Sequence, residues 1–127
     1  MIFGIGIDLV EIDRLKKSVV KFGDRFLNRL FTENEIKYCQ SKSNSYQHFA
    51  VRFAAKEAFL KAIGTGLRDG ITWHQIEIIN DKQGKPSILT HDKCHEILEK
   101  LDVRNPKLSL SHIRQHGIAV VILEQNT

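Results

Sequence analysis

An α+β domain with mostly antiparallel pairing is the fold class this sequence predicts, and three stretches carry the expectation. Ile2 to Leu9 alternates with the period of a strand, His48 to Ile63 has the spacing of a long helix, and Leu108 to Leu123 reads as two strands joined by a turn. Helices and strands do not alternate as they would in a doubly wound parallel sheet. With 127 residues, 42% of them hydrophobic, the chain can bury one ordinary core but not two, so a single domain over residues 1–127 is expected.

Along the first strand Phe3, Ile5, Ile7 and Leu9 share one face, and Gly4, Gly6 and Asp8 share the other. The glycine face permits close approach by a backbone or a ligand, and Asp8 is the one functional side chain on it. Helical spacing follows from Ile12 to Val20, breaks near Gly23 and resumes through Phe26, Leu27 and Leu30. Thr32 and Glu35 have the spacing of a capping box and open a short helix containing Ile36 and Tyr38. The polar run from Gln40 to Gln47 reads as a loop or a ragged helix end.

The helix over His48 to Ile63 carries Glu57 and Lys61 one turn apart and is closed by Gly64-Thr65-Gly66. Leu67 to Gly70 reads as a loop. Trp73 to Ile79 alternates like a strand, Asn80 to Pro86 turns, and Ser87 to Leu89 completes a hairpin. Asp92 is placed to cap a helix ending near Leu101, Asn105-Pro106 marks a break, and His116-Gly117 turns the chain between the last two strands. Roughly five strands in one sheet, with helices against it, is the expected arrangement.

The composition excludes several classes. Apolar runs fall short of a membrane span, and the first residues lack the basic region and long apolar run of a secretory signal, so a cytoplasmic location without membrane contact is expected. Cys39 and Cys94 lack the spacing of a metal knuckle or redox pair. Phosphate-loop, zinc-protease and nucleophile-elbow motifs are missing too. The formal charge of +4 is concentrated in Arg14, Lys16, Lys17, Lys21, Arg25 and Arg29, which suits an acidic partner. No aromatic pair, GXXG clamp or zinc finger accompanies it, so nucleic acid is not the expected partner.

Asp8 and Glu57 are two hard oxygen donors that the fold could bring together around Mg2+, an ion that commonly uses one or two protein carboxylates beside substrate phosphates. Solvated surface acids are the plain alternative. Lys61 could neutralise a phosphate, and the glycines after it could expose backbone amides to an anion, although Gly64 also suits an ordinary helix stop. Ser109-Leu110-Ser111-His112 places a histidine at a strand end, where it could donate to a phosphate or take a proton.

These segments resemble the bacterial holo-[acyl-carrier-protein] synthase family of 4'-phosphopantetheinyl transferases. The resemblance rests on Gly4-Ile5-Gly6-Ile7-Asp8-Leu9-Val10-Glu11-Ile12, on Arg52-Phe53-Ala54-Ala55-Lys56-Glu57-Ala58-Phe59 with Lys61-Ala62 and Gly64-Thr65-Gly66, and on Ser109-Leu110-Ser111-His112. It covers nearly the whole chain. It implies transfer of 4'-phosphopantetheine from coenzyme A to a serine of apo acyl carrier protein, with release of adenosine 3',5'-bisphosphate.

By the same resemblance Asp8 and Glu57 would hold Mg2+ with the coenzyme diphosphate, and Lys61 would stand at the reacting phosphate. Gly64, Thr65, Gly66 and His112 would help hold the coenzyme, and Arg14 would meet the acidic carrier. Glu57, directly or through a water it orders, would assist deprotonation of the serine. The resemblance further implies a homotrimer with active sites between subunits, where Asp8 and His112 meet Glu57 and Lys61 from a neighbour. Ile113 and His116-Gly117 depart from the family, which has a polar residue and then an aromatic residue followed by alanine there. Two other readings are a noncatalytic oligomeric module that binds acidic or phosphorylated macromolecules and a magnesium-dependent phosphohydrolase.

Overall fold

The structure, a computed structural model, describes residues 1–126. Its centre is helix α4 (Ser45–Ile63), which lies across a three-stranded antiparallel sheet of β1 (Ile2–Glu11), β5 (His116–Gln125) and β4 (Val103–His112), in the order β1-β5-β4. A separate hairpin pairs β2 (Ile76–Asn80) with β3 (Pro86–Thr90). Helices α1 (Ile12–Phe22), α2 (Asp24–Leu30) and α3 (Glu33–Gln40) surround the N-terminal half of α4, and α5 (Asp92–Lys100) joins the hairpin to β4. The fold is α+β with antiparallel sheets, but the strands form two sheets rather than one.

The glycine face of β1 receives α4. A Cβ on Gly4 would stand 2.0 Å from the Ala62 carbonyl oxygen, and one on Gly6 would stand 1.8 Å from that of Ala58. Helix backbone therefore touches strand backbone, and Ala54, Ala55, Ala58 and Ala62 on α4 are correspondingly small and buried. Gly117, one of the departures, follows the same logic on β5: its Cβ would meet Val51 Cγ1 at 2.8 Å. Because the glycines face inward, Ile5, Ile7 and Leu9 face outward and are 61%, 54% and 61% exposed. Phe3 does not stay with them; a register shift between Ile2 and Gly4 accompanies its packing against the main core.

Other expectations shift in instructive ways. The capping box is present: Glu35 N donates to Thr32 Oγ1, and Thr32 N donates to Glu35 Oε1. Ser45 to Gln47 already belongs to α4, leaving 41–44 as the connection. Trp73–Gln75 is a single 3-10 turn, so β2 begins only at Ile76. Asp92 is the first residue of α5, not its cap, and no side chain caps that helix.

Asn105-Pro106 does not break the chain. β4 runs through it with a register shift between Arg104 and Lys107 and with Asn105 at φ 50°. This is tolerated because β4 is an edge strand, where proline's missing N–H costs no ladder bond. His116 and Gly117 likewise pair with Glu11 and Val10 inside the sheet, and the turn falls at 113–115, closed by Ile113 N donating to His116 O. Among the described residues no helix is long and apolar enough to cross a membrane.

Candidate active site

Between Phe49 and Ile63, only Phe53, Glu57 and Lys61 of α4 escape full burial. Their i, i+4, i+8 spacing makes one stripe along the helix. That stripe opens into a cleft of about 650 Å3, whose other walls are Asp8 to Glu11 of β1, Arg14, Leu15 and Ser18 of α1, Phe26, Arg29 and Leu30 of α2, and Trp73. The close packing of Gly4 and Gly6 on α4 brings Asp8, the next inward residue of β1, to the same helix face. Lys61 Nζ donates to Asp8 Oδ1 at 3.0 Å and to the Ile7 carbonyl at 3.1 Å.

Asp8, Glu57 and Lys61 thus meet within one chain. The expectation that Asp8 meets Glu57 and Lys61 from a neighbouring subunit is corrected by the Asp8–Lys61 ion pair within the chain. Burial pushes the Glu57 carboxyl above its ordinary value, the Asp8 charge pushes it further, and Lys61 pulls against both. Asp8 and Glu57 set two hard carboxylate oxygen donors at one end of a partly desolvated cleft, next to Lys61 and opposite Arg14 and Arg29, an arrangement that suits a hard cation held together with a phosphate. No group of three or more His, Cys, Asp or Glu able to hold a metal occurs among the described residues, so an ion here would complete its shell from water and substrate oxygens. The donor set therefore fits Mg2+.

Arg14, expected at the carrier surface, lines this same cleft, as does Arg29, which was not singled out from the sequence beyond its place in the basic stretch. Glu57, Lys61 and Trp73 also border an adjoining hollow of about 440 Å3 lined by Leu60, Gly64, Gly66 and Leu67. Gly64 takes φ 85° at the end of α4, with its N–H donating to Leu60 O, and Gly66 takes φ 64°. The Thr65 hydroxyl donates to Gly66 O.

His112 lies elsewhere. It borders a cleft of about 410 Å3 with His48, Arg52, Asn80, Lys85 and Tyr38, and this cleft shares no lining residue with the one around Glu57. Arg52 is almost wholly buried beneath it: one guanidinium nitrogen donates to Asn80 Oδ1, another donates to the His48 carbonyl at 3.2 Å, Cζ lies 4.3 Å from the Tyr38 ring centre, and Nε has no partner among the described residues. Burial and the charges of Arg52, Lys42 and His112 hold His48 below its ordinary pKa. No carboxylate lines this cleft, so its chemistry favours an anion. Sequence reasoning missed Arg52 as a site residue although it stands in the central Arg-Phe-Ala-Ala-Lys-Glu run, and missed His48, Asn80 and Lys85 because only the tertiary fold gathers them.

Comparison with known proteins gives one consistent answer. A model described as the 4'-phosphopantetheinyl transferase superfamily matches residues 4–121. The holo-[acyl-carrier-protein] synthase of Koribacter versatilis is 51% identical over 124 residues, covering 98% of this chain and 99% of its own. The crystal structure of the Neisseria meningitidis holo-[acyl-carrier-protein] synthase superposes with a TM-score of 0.91 at 35% identity, covering 98% of this chain and 100% of that one. The Bacillus anthracis holo-(acyl-carrier-protein) synthase, crystallised in complex with CoA (3',5'-ADP), gives 0.81 at 37% identity, with 99% of each chain covered.

Proposed function

The chain belongs to the 4'-phosphopantetheinyl transferase superfamily, and from that premise we propose that Asp8, Glu57 and Lys61 form the reacting centre of its transfer reaction. It is an enzyme that moves 4'-phosphopantetheine from coenzyme A to apo acyl carrier protein. The observation that carries the site assignment is the convergence of Asp8 and the Phe53-Glu57-Lys61 stripe on one cleft.

In this reading the carrier serine oxygen attacks the β-phosphate of coenzyme A, the bond from that phosphorus to the bridging oxygen breaks, and adenosine 3',5'-bisphosphate leaves. Glu57 takes the serine proton, directly or through one water. Lys61, whose side chain is 55% exposed, can leave Asp8 for an incoming phosphate and hold charge on the departing group. Asp8 and Glu57 would hold Mg2+, which when bound supplies positive charge to the diphosphate oxygens. Arg14 and Arg29, which line the cleft, and the exposed Lys17, Lys21 and Arg25 of the same two helices offer the acidic carrier a positive approach.

The coenzyme also has phosphates and a nucleoside beyond the reacting centre, and the His112 cleft suits an anion but opens apart from Glu57 in the same chain. A shared site resolves this: His112, Arg52, Lys85 and their neighbours would come from an adjoining subunit of a homotrimer. The outward sheet face supports such an assembly. Ile5, Ile7 and Leu9 pair in register with Ile122, Val120 and Ile118, giving a contiguous apolar surface of the kind that marks an interface. Ile7→Asp is therefore expected to sediment as a smaller species and to lose transfer activity.

Subunit mixing tests the shared site. Glu57→Gln and His112→Ala, each poorly active alone, are expected to regain about a quarter of wild-type activity when refolded together at equal amounts, because random assembly places an intact Glu57 beside an intact His112 at that frequency. Activity no greater than the sum of the two parents would contradict it.

A further inference from the structure

Lys56 stands beside Glu57 on α4 but points into the protein, where its side chain is completely buried. Its ammonium makes three bonds: to Glu35 Oε1 at 2.7 Å, to the Leu30 carbonyl at 2.8 Å and to the Trp73 carbonyl at 3.1 Å. Glu35 is itself fully engaged, because Oε1 also accepts from Thr32 N and Oε2 accepts from Ile78 N, each at 2.8 Å. An apolar residue could fill the same space without the desolvation cost of a buried ion pair, so core packing alone does not call for a lysine here.

What the lysine does that an apolar side chain cannot is tie two backbone segments to α4. Those segments are the last turn of α2 and the start of the 3-10 turn, and the side chains of the residues tied, Leu30 and Trp73, both line the cleft that holds Glu57. Trp73 further packs on Phe53 of the α4 stripe, with ring centres 5.4 Å apart.

We propose that Lys56 is a positioning residue for the transfer reaction: its bonds to the Leu30 and Trp73 carbonyls fix the two walls of the cleft relative to Glu57. This rests on the reading of that cleft as the reacting centre. Ångström-scale displacement of cleft walls is enough to cost large factors in rate.

The chain has one tryptophan, so intrinsic fluorescence reports Trp73 directly. Two variants separate positioning from mere stability. Glu35→Gln breaks the ion pair but leaves Lys56 on both carbonyls; lower stability is expected, with Trp73 emission unchanged and transfer within about threefold of wild type, since the wall geometry is kept. Lys56→Met/Glu35→Gln removes both charges and both ties; a folded protein is expected whose Trp73 emission moves to longer wavelength, whose acrylamide quenching rises and whose transfer falls about tenfold or more.

A folded double variant that emits and transfers like wild type would overturn the proposal. So would Glu35→Gln losing transfer as severely as the double variant. Should the double variant not fold, Lys56→Met in an otherwise unchanged chain replaces it, with the same expected red shift and loss of transfer, and Glu35→Gln still overturns the proposal if emission and transfer fall together with stability. Wild-type protein that left the carrier unmodified would instead remove the underlying reading of the cleft, an outcome distinct from each of these.

Discussion

Glu57→Gln is expected to keep its fold and lose about a hundredfold or more of its turnover, the scale attached to a positioned acid–base group. Glutamine has nearly the same shape, and Glu57 stands on the one stripe of α4 that faces the cleft, so the substitution disturbs no core contact. What disappears is a carboxylate that accepts a proton and supplies one of two hard oxygen donors. The pH profile sharpens the expectation. Burial and Asp8 hold the Glu57 carboxyl above the usual carboxylate range, so as pH falls through that raised value the group gains a proton and activity drops. A cation at the same oxygens competes with that proton, so raising Mg2+ is expected to move the acid limb to lower pH. Rates measured on matched, folded proteins check this; near-normal turnover in Glu57→Gln would remove Glu57 from the reacting centre.

Gly6→Ala is expected to destabilise the fold by about 3 kcal/mol or more, at or beyond the upper end of ordinary overpacking. The added Cβ would lie 1.8 Å from the Ala58 carbonyl oxygen, which is backbone of a helix buried on nearly every side and cannot swing away. Relief would require β1 and α4 to separate, and that separation also withdraws Asp8 from Lys61. Loss of stability and loss of transfer are therefore coupled at this position. A denaturant midpoint close to wild type would contradict the packing described here.

How legible this was in the sequence differs from one element to the next. The alternation of Gly4, Gly6 and Asp8 marks one face of a strand, and the four-residue spacing of Glu57 and Lys61 marks one face of a helix. The bare face requires something to approach closely, and the glycines do put the α4 backbone there. The direction of the apolar face was not legible, because Ile5, Ile7 and Leu9 suit a protein core and a subunit interface equally well. Hydrophobicity says that a surface avoids water, not what covers it.

Edge position is likewise a property of topology. Asn105-Pro106 reads as a break until β4 is known to have no partner on its outer side, at which point the same residues fit a bulged edge strand. The second cleft lay furthest from view. His48 and Arg52 come from one turn of α4, Asn80 and Lys85 from the β2–β3 hairpin and His112 from the end of β4, and no local spacing joins these three parts. Lys56 was obscured for the opposite reason: beside Glu57 and close to Lys61 in sequence it reads as part of a solvated ion network, and only its three buried bonds reveal otherwise.

The central claim is that the cleft bearing Asp8, Glu57 and Lys61 carries out phosphopantetheine transfer. The most direct measurement is the intact mass of apo acyl carrier protein after incubation with this enzyme, coenzyme A and Mg2+, beside reactions lacking each component and a reaction with Glu57→Gln. The result expected is a phosphopantetheine-sized increase on the carrier serine that needs both coenzyme A and Mg2+ and is nearly abolished by Glu57→Gln. An unmodified carrier with folded wild-type protein, or cleavage of coenzyme A without any mass added to the carrier, would contradict it, the second result pointing to hydrolysis by the same carboxylates.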